Sequence, residues 1–349
     1  MDKVLLTGGT GFIGSHTASL LLESGFKVII IDSLINSSEK VLEQLKKIIK
    51  EKNVEYINNL VFYKGSLKDE NLLNKIFEKE DKKNSPIKGV IHFAGLKAVG
   101  ESNISPLNYW ENNVSGTIAL LKIMNKWNCK TLIFSSSATI YGNAGKLPIK
   151  EDNKINPTNP YGNTKSLIET LLTDIFKSAP EEWRIANLRY FNPVGAHPSG
   201  YIGENPLGVP NNIFPIIAKV ACEEISSLNI FGNDWDTHDG TGVRDYIHVM
   251  DVSEGHIEVF EYLKKNKTQI LNLNLGTGIG TSVMELINAY EKTNNVKIPF
   301  KIVDRRIGDV DIVVADNNKA KLILGWEPNR GLDEMCRDAW RWKSNDLKN

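Results

Sequence analysis

Residues 4–14 read Val4-Leu5-Leu6-Thr7-Gly8-Gly9-Thr10-Gly11-Phe12-Ile13-Gly14. The apolar start predicts a short strand, and the amphipathic run that continues from the glycines to Leu22 predicts a helix. Gly8, Gly11 and Gly14 form a G-x-x-G-x-x-G pattern, in which the missing side chains let backbone N–H groups and the helix N-terminus approach a pyrophosphate. This order of strand, glycine turn and helix predicts the first half of a dinucleotide-binding unit.

An acidic residue follows at the expected distance. A second predicted strand starts at Lys27 and ends on Asp32, about twenty residues past the glycine loop. A carboxylate there accepts hydrogen bonds from the adenosine ribose hydroxyls and repels a 2′-phosphate. The sequence therefore favours NAD over NADP as a ligand of this unit.

Apolar and amphipathic runs continue to alternate along the first half of the chain. Further strands are predicted at 60–63, 90–93, 131–134 and 184–189. Helices are predicted at 40–49, 71–77, 109–127 and 160–176. Continuous apolar strands separated by helices are typical of a parallel sheet covered on both faces. We therefore predict an α/β fold with a Rossmann-type doubly wound parallel sheet, which binds ligands at the carboxyl ends of its strands.

The local composition of the sequence changes after residue 192. Gly and Pro recur at short intervals over 193–212, which predicts loops. We expect a first domain at 1–192 and a smaller, mixed lobe at 193–349. Helices are predicted in this lobe at 214–223, 251–264, 282–291, 318–324 and 332–342. An apolar run before Gly276 resembles another sheet strand, so we expect the chain to return to the first domain near 270–276.

Two side chains on one predicted helix indicate acid–base chemistry. Asn159-Pro160 is typical of a helix start, so Tyr161 falls in the first turn, and Lys165 projects from the same face one turn later. A phenol has a reference pKa of about 10. We expect the Lys165 ammonium and the positive end of the helix to lower the pKa of Tyr161. Ser135-Ser136-Ser137 follows a predicted strand, at another carboxyl end of the sheet.

The composition argues against several classes of function. Lys plus Arg and Asp plus Glu are balanced at 42 each, so there is no broad electrostatic case for binding nucleic acid or an anionic membrane. We expect no signal peptide, since a strand-length apolar run follows Met1-Asp2-Lys3, and no membrane-spanning segment. Cys129, Cys222 and Cys336 have neither metal nor redox spacing, which fits a reducing cytoplasm.

The histidines do not suggest a metal site. His92 lies within an apolar run, so we predict a packed, hydrogen-bonded core residue. His197, His238 and His248 have no metal-ligand spacing. We therefore expect no bound metal.

Longer motifs resemble a known family. The glycine loop, Ser137 and Tyr161-x-x-x-Lys165 resemble the extended short-chain dehydrogenase/reductase family. The chain closely resembles the UDP-glucose 4-epimerases within it at three further stretches, HFAGLKAVGES (92–102), RYFNPVGAHP (189–198) and GTGVRDYIHVMD (240–251). The similarity continues to Leu332-Asp333-Glu334-Met335 and so spans almost the whole chain.

This resemblance implies an isomerase of galactose and nucleotide-sugar metabolism that interconverts UDP-glucose and UDP-galactose. One tightly bound NAD would take a hydride from C4, and the 4-keto sugar would turn over and receive the hydride on its other face. Tyr161 would be the base for the 4-hydroxyl, Ser137 would hydrogen-bond the reacting oxygen, and Lys165 would bind the nicotinamide ribose. The resemblance also implies a homodimer formed through helices that flank the tyrosine.

The resemblance implies an NAD site in the first domain and a UDP-sugar site that includes the second lobe. The residues implied for NAD are Gly8, Gly11, Phe12, Ile13, Gly14, Asp32, Asn36, Ser37, Ser66, Leu67, Phe93, Ala94, Gly95, Lys97, Asn112, Ser135, Tyr161, Lys165 and Tyr190. The residues implied for the UDP-sugar are Lys97, Ser137, Ala138, Tyr161, Asn192, Asn212, Phe231, Arg244, Arg306, Asp309 and Val313.

Two positions depart from the pattern of the family. Ser66 stands where many relatives carry Asp facing the adenine amino group, so we expect one weaker hydrogen bond to the adenine. Val313 stands where some epimerases place a tyrosine that closes the sugar pocket and others a smaller residue. A pocket with Val313 would also accept an N-acetyl group, so UDP-N-acetylglucosamine is an alternative or additional substrate.

Three other functions share parts of this pattern. A sugar-nucleotide 4,6-dehydratase carries an Asp-Glu pair after the Ser/Thr, whereas this chain has Ala138-Thr139. A regulator that binds NAD without turnover would have no reason to keep Ser137, Tyr161 and Lys165 together. A dehydrogenase that uses free cofactor differs from an epimerase in not retaining NAD through purification.

Overall fold

A computed structural model describes residues 1–81, 85–208, 210, 212–306 and 308–346. The helices in these residues are α1 (Phe12–Glu23), α2 (Lys40–Lys52), α3 (Glu70–Asp81), α4 (Val99–Ile104), α5 (Pro106–Tyr109), α6 (Gly116–Lys126), α7 (Pro160–Ser178), α8 (Ile213–Ala221), α9 (Val249–Lys265), α10 (Val283–Asn294), α11 (Asn318–Leu324) and α12 (Leu332–Asp346). The strands are β1 (Lys3–Thr7), β2 (Lys27–Asp32), β3 (Leu60–Lys64), β4 (Ile87–His92), β5 (Thr131–Ser137), β6 (Arg184–Tyr190), β7 (Asn192–Val194), β8 (Leu228–Phe231), β9 (Val243–Arg244), β10 (Tyr246–His248), β11 (Gln269–Leu275), β12 (Thr281–Ser282), β13 (Phe300–Val303) and β14 (Ile312–Val313).

The chain forms two compact units. The first unit consists of Met1–Gly142, Lys154–Arg189 and Ser253–Leu273. The second unit consists of Asn143–Asn153, Tyr190–Val252 and Asn274–Asn349.

A seven-stranded sheet, ordered β11-β6-β5-β4-β1-β2-β3 among the described residues, organises the first unit. β1 pairs in parallel with β2 and β4, and β2–β3 and β4–β5 are also parallel. β1 is buried along its whole length, because helices pack over the sheet. These features confirm the predicted α/β fold. The chain order reverses at β1 and β4, so the carboxyl ends of these neighbouring strands flank the position where such sheets bind ligands.

The helix that carries Tyr161 begins where the sequence predicted. The side chain of Asn159 caps α7 by accepting a hydrogen bond from the Gly162 N–H at 2.9 Å, and Pro160 occupies the first helical position. Lys165 and Glu169, one turn apart, lie on the buried side of this helix together with Ile168. A charged lysine and a glutamate on an apolar face need partners within the unit.

The predicted helix over 109–127 is interrupted. The chain runs through α5, a π-helical turn at Trp110–Ser115, and then α6. The wider turn carries Asn113, whose carbonyl accepts a hydrogen bond from the Thr117 hydroxyl at 2.5 Å and whose side chain contacts Leu96 and Thr164. Such turns are frequent at functional sites because they redirect one side chain out of the helical register.

The second unit contains short strands that the sequence did not predict. Within the described residues, β7 pairs with β10, β8 with β13, and β9 with both β12 and β14. These strands have only two to four residues, so the alternation of apolar and polar residues is too short to detect. On β13, the apolar side chains of Phe300 and Ile302 are also exposed. A separate apolar core around Phe214, Tyr246 and Tyr290 stabilises this unit.

The other helices predicted after residue 192 are confirmed with small changes of boundary, but α9, predicted in the second lobe, belongs mostly to the first unit. The predicted helix at 282–291 is α10, which Ser282 caps in a capping box with Glu285. The described part of 193–212 is mostly irregular, as predicted; residues 209 and 211 lie outside the described residues.

Candidate active site

The glycine loop packs its backbone against the end of β4. Gly8 adopts a φ of +68°, and a Cβ added there would lie 2.7 Å from the Ala94 backbone nitrogen. A Cβ on Gly14 would lie 2.5 Å from the Gly8 carbonyl oxygen. Gly11 precedes α1 as its N-cap, and no side chain caps this helix. Backbone N–H groups of the first turn are therefore available to an anion, so the loop fits a dinucleotide pyrophosphate.

Asp32 occupies the end of β2 with its carboxylate held by three donors. It accepts hydrogen bonds from the N–H groups of Thr10 at 3.1 Å and Leu34 at 2.9 Å, and from the Ser37 hydroxyl at 3.1 Å. The hydroxyls of Ser37 and Thr10 also lie 2.8 Å apart. The glycine loop and the acidic strand end are thus joined in one rigid arrangement. It fits the ribose end of a dinucleotide.

Several further predicted NAD ligands of the first unit lie on loops that follow strands. Ser66 accepts a hydrogen bond from the Lys68 N–H at 3.2 Å, next to the buried Leu67. Phe93 stacks on His256 with ring centroids 4.8 Å apart. Asn36 and Lys97 are exposed on the loops after β2 and β4. Tyr190, at the end of β6, is buried in the second unit.

Asn113 links the β4 loop to α7 through its buried side chain, next to the predicted NAD ligand Asn112. The Asn113 side chain accepts from the Leu96 N–H at 2.8 Å and donates to the Thr164 hydroxyl at 3.0 Å. The predicted ligand Asn112 donates instead to the Asn108 carbonyl at 2.8 Å. Asn113 lies on the same buried helical face as Thr117 and the residues at 120 and 124. A polar residue on an otherwise apolar helical face is the sequence signal that could have indicated its buried hydrogen bonds.

Ser137 and Tyr161 are brought together by β5 and α7. The Ser137 hydroxyl lies close enough to the Tyr161 phenol to lower the pKa of Tyr161. The Ser137 oxygen is also 2.9 Å from the Thr139 hydroxyl and accepts from the Thr139 N–H at 3.2 Å. Ala138 begins the short turn Ala138–Tyr141 that follows. A serine hydroxyl beside a tyrosine hydroxyl can donate to and accept from one substrate oxygen.

Lys165 is buried beside this pair. Its Nζ donates to the Ser135 carbonyl at 2.6 Å and lies 4.8 Å from the centroid of the Phe134 ring and 5.9 Å from that of Tyr161. Burial lowers the pKa of Lys165 to about 7, although the negative charge of Glu169 raises it. Lys165 is therefore close to its titration point at neutral pH.

The pKa of Tyr161 differs from the sequence-based expectation. Burial raises the pKa of its phenol, and the hydrogen bond with Ser137 lowers the pKa by a smaller amount. The expectation that Lys165 and the helix N-terminus would lower it was wrong for the chain by itself. The physical reason is that loss of solvent around the phenolate outweighs the distant ammonium.

His92 is a core residue, as predicted. Its ring nitrogens lie 2.7 Å from the Thr7 hydroxyl and 2.8 Å from the Thr117 hydroxyl. Burial, and then the positive charge of Lys165, lower the pKa of His92 to about 3. His92 is therefore neutral and adds no charge beside the lysine.

The second unit places several predicted UDP ligands in contact with one another. The guanidinium of Arg306 lies 4.5 Å from the centroid of the Phe231 ring, and its Nε is 3.0 Å from the Asp309 carboxylate. Arg305 instead stacks on Trp235 at 4.0 Å. Of the two adjacent arginines, Arg306 is thus the one grouped with the other predicted ligands.

Arg244 and Val313 face each other in the pairing of β9 with β14. Arg244 donates to the carbonyls of Asp311 at 3.1 Å and Val310 at 2.8 Å. Burial lowers the pKa of Arg244 from its ordinary value, which is so high that the side chain remains charged.

The two predicted asparagines of the second unit lie at element boundaries. Asn212 precedes α8 as its N-cap and donates through its side chain to the buried Glu204 at 2.6 Å. Asn192 begins β7, and its N–H donates to the Asp245 carbonyl at 3.0 Å.

The described residues contain no cluster of three or more His, Cys, Asp or Glu side chains with the geometry of a metal site. None of the helices within these ranges is long and apolar enough to cross a membrane.

Comparisons with known proteins agree with these features. The chain matches the family model described as GDP-mannose 4,6 dehydratase over residues 5–339. It is 48% identical over 344 residues to UDP-glucose 4-epimerase of Bacillus subtilis (strain 168), which covers 99% of this chain and 97% of that relative.

Two solved structures are similar over nearly their full length. A UDP-glucose 4-epimerase from Stenotrophomonas maltophila, with bound NAD and formylated UDP-arabinopyranose, has 43% identity and a TM-score of 0.93, covering 100% of this chain and 99% of that one. The enzyme from Bifidobacterium longum, in complex with NAD+ and UDP, has 44% identity and a TM-score of 0.92, covering 99% of each chain. Sequence and fold thus confirm the resemblance seen in the motifs, and the chain belongs to the UDP-glucose 4-epimerase family.

Proposed function

We propose that this chain interconverts UDP-glucose and UDP-galactose by inverting C4 of the sugar through a 4-keto intermediate. The observation that carries the proposal is the placement of Ser137 beside Tyr161, with Lys165 buried one turn away and bonded to the Ser135 carbonyl. This group lies at the carboxyl end of β5, in the same sheet as the glycine loop that fits a dinucleotide. Membership of the epimerase family supports the assignment.

In this mechanism Tyr161 moves the proton at the sugar O4. As phenolate it accepts the proton from the 4-hydroxyl, and as phenol it returns the proton once the sugar has turned over. Ser137 hydrogen-bonds the same oxygen and orients it. Because burial raises the pKa of Tyr161, its phenolate needs a nearby positive charge, which Lys165 supplies from within the chain. NAD, held by the glycine loop, Asp32 and Lys165, would supply the hydride acceptor and donor for C4.

The first unit would bind NAD. The glycine loop would bind the pyrophosphate at the N-terminus of α1, and the Asp32 carboxylate the adenosine ribose. Lys165 would bind the nicotinamide ribose. The other proposed ligands are Phe12, Ile13, Asn36, Ser37, Ser66, Leu67, Phe93, Ala94, Gly95, Lys97, Asn112, Ser135 and Tyr190.

The second unit would bind the UDP part. Arg244 and Arg306 are suited to phosphate oxygens because guanidinium groups pair with them in a forked geometry. Phe231 offers an apolar ring, and Asn192, Asn212 and Asp309 offer polar groups for the uracil or ribose. Lys97, Ala138 and Val313 complete the proposed sugar contacts.

The first test uses the purified protein without added cofactor. We expect UDP-galactose to be converted to UDP-glucose, and acid denaturation to release about one NAD per chain, measured by enzymatic cycling. A protein that releases no NAD and needs added cofactor would instead be a dehydrogenase with exchangeable cofactor. A 4-keto-6-deoxy sugar among the products, detected by its absorbance, would indicate a dehydratase. The Ala138-Thr139 sequence argues against this activity.

Val313 favours a second substrate. By resemblance, Val313 stands at the position where some epimerases carry a tyrosine that closes the sugar pocket, so the proposal includes epimerisation of UDP-N-acetylglucosamine. We expect Val313→Tyr to remove activity on the acetylated sugar and to spare UDP-galactose, because the larger ring excludes the N-acetyl group. The measurement is kcat/KM for both substrates, with Val313→Ala as a control that should retain both activities. Wild-type protein that ignores UDP-N-acetylglucosamine would contradict the idea.

We also propose that the chain forms a homodimer in the cytoplasm. A groove of about 380 Å³ is lined by Ile118, Leu121, Leu171 and Trp183 of the first unit, and Leu167 nearby on α7 is 42% exposed. Exposed apolar groups of this kind favour association with a second copy. Analytical ultracentrifugation should give twice the mass of one chain. Cys129, Cys222 and Cys336 are free thiols, which fits a reducing compartment.

A further inference from the structure

A buried charge cluster lies behind the Ser137–Tyr161 pair. It consists of Ser136, Tyr141, Glu169 and Arg189, whose side chains have almost no contact with solvent. Arg189 donates to both oxygens of the Glu169 carboxylate, at 3.0 Å from Nε and 2.6 Å from Nη2. Its Nη1 donates to the Tyr141 hydroxyl at 2.8 Å. No part of the proposed mechanism uses these four residues.

The cluster is connected to the catalytic groups at two points of the same strand end. The Ser136 hydroxyl donates to the Glu169 carboxylate at 2.6 Å. Lys165, one turn before Glu169 on α7, donates to the carbonyl of Ser135 at 2.6 Å. Two adjacent residues of β5 are thus bonded to two successive turns of α7. Ser137 is the next residue of β5, so its position relative to Tyr161 depends on both bonds.

Glu169 is also the negative charge that acts on Lys165. The titratable groups around Lys165 are Glu169 and Tyr161 on its own helix and His92 on β4, which is neutral. Glu169 in turn faces Arg189 from β6 and the Tyr141 hydroxyl from the turn after β5. Burial lowers the pKa of Lys165 to about 7, and Glu169 acts in the opposite direction. Without that carboxylate, the pKa of Lys165 would be lower still.

We propose that Glu169 is a positioning residue that keeps Lys165 charged and, through Ser136, places Ser137 opposite Tyr161. Arg189 compensates the Glu169 charge, so the carboxylate remains ionised in an apolar setting. This inference rests on the proposed function, because it assigns Glu169 a role in the acid–base step of that reaction.

The test measures kcat and KM against pH for Glu169→Gln, Glu169→Asp and the double variant Glu169→Gln/Arg189→Met. In Glu169→Gln the alkaline limb of the kcat profile should move to lower pH by about one unit, since Lys165 then deprotonates more easily. Glu169→Asp keeps the charge and should keep the limb near its wild-type position, even where kcat falls. The double variant also removes the positive charge of Arg189, which disfavours the Lys165 ammonium, and should show a shift in the same direction but smaller than that of Glu169→Gln. Asp174→Asn, an exposed change on the same helix, should leave the profile unchanged.

A second readout does not depend on turnover. Titration of ¹³C-labelled lysine, with the Lys165 resonance assigned from Lys165→Arg, should show a lower midpoint for Lys165 in both variants that lack the Glu169 carboxylate. A purely structural role would lower activity equally at every pH and leave this midpoint where it is in the wild type. If the variants epimerise UDP-galactose but neither their kcat profile nor the Lys165 midpoint is shifted, the inference about Glu169 is wrong and the proposed function is unaffected. If the wild-type protein does not epimerise UDP-galactose, the proposed function fails, and the lysine midpoint alone still decides whether Glu169 keeps Lys165 charged.

Discussion

Replacing Tyr161 with phenylalanine is expected to lower kcat by about 10²–10⁴-fold, the usual contribution of a positioned acid–base group. The substitution removes the one oxygen that carries the proton and leaves the ring in place. The fold and the amount of NAD released on denaturation should therefore stay at wild-type levels. KM should change little, because the UDP part is bound by other residues. Single-turnover and steady-state rates with UDP-galactose measure the effect.

A matched control separates this effect from loss of a tyrosine hydroxyl in general. Tyr262→Phe removes a phenolic oxygen from α9, away from the Ser137–Tyr161 pair, and should retain wild-type kcat. Near-normal turnover in Tyr161→Phe would exclude Tyr161 as the base. The proposed mechanism would then have to be abandoned, because the other hydroxyl beside Ser137, that of Thr139, is an aliphatic alcohol and a far weaker acid than a phenol.

Removing Arg189 should produce the largest loss of stability. Arg189→Met leaves the Glu169 carboxylate buried without its bidentate partner, and breaking a buried ion pair from one side costs about 3–5 kcal/mol of unfolding free energy. Burial disfavours the charged form of an arginine, but the Glu169 charge reverses this effect, so the pKa of Arg189 is raised. The two charges therefore depend on each other. Urea unfolding followed by circular dichroism measures the loss.

The double variant tests whether the loss comes from the unpaired charge. Glu169→Gln/Arg189→Met removes both charges and should recover most of the stability lost in Arg189→Met, since a neutral amide is far less costly to bury than a carboxylate. The exposed Arg337→Met should change stability by less than about 0.5 kcal/mol. If the double variant is less stable than Arg189→Met, the packing of the side chains, and not their charge, dominates at this cluster.

Much of the site was predictable because its signals are local in sequence. The glycine spacing, Asp32 at the end of a strand, and the Asn159-Pro160 helix start each depend on neighbours within a few residues. The structure places all of them where local rules predict. The different environments of Asn112 and Asn113 show the limit of such rules. Both residues occupy the same predicted helix, and a π-helical turn decides which of them faces Leu96 and Thr164.

The sequence by itself determined the order of strands and helices, the loop that fits a pyrophosphate, and the residue types available for acid–base chemistry. Periodicity, helix caps and glycine positions act over short distances along the chain, so they can be identified without coordinates. Only the tertiary structure decided that Glu169 pairs with Arg189, that Lys165 reaches the Ser135 carbonyl, and that burial raises the pKa of Tyr161. These properties depend on which distant segments exclude water from one another, and that exclusion exists only once the sheet and α7 have packed together.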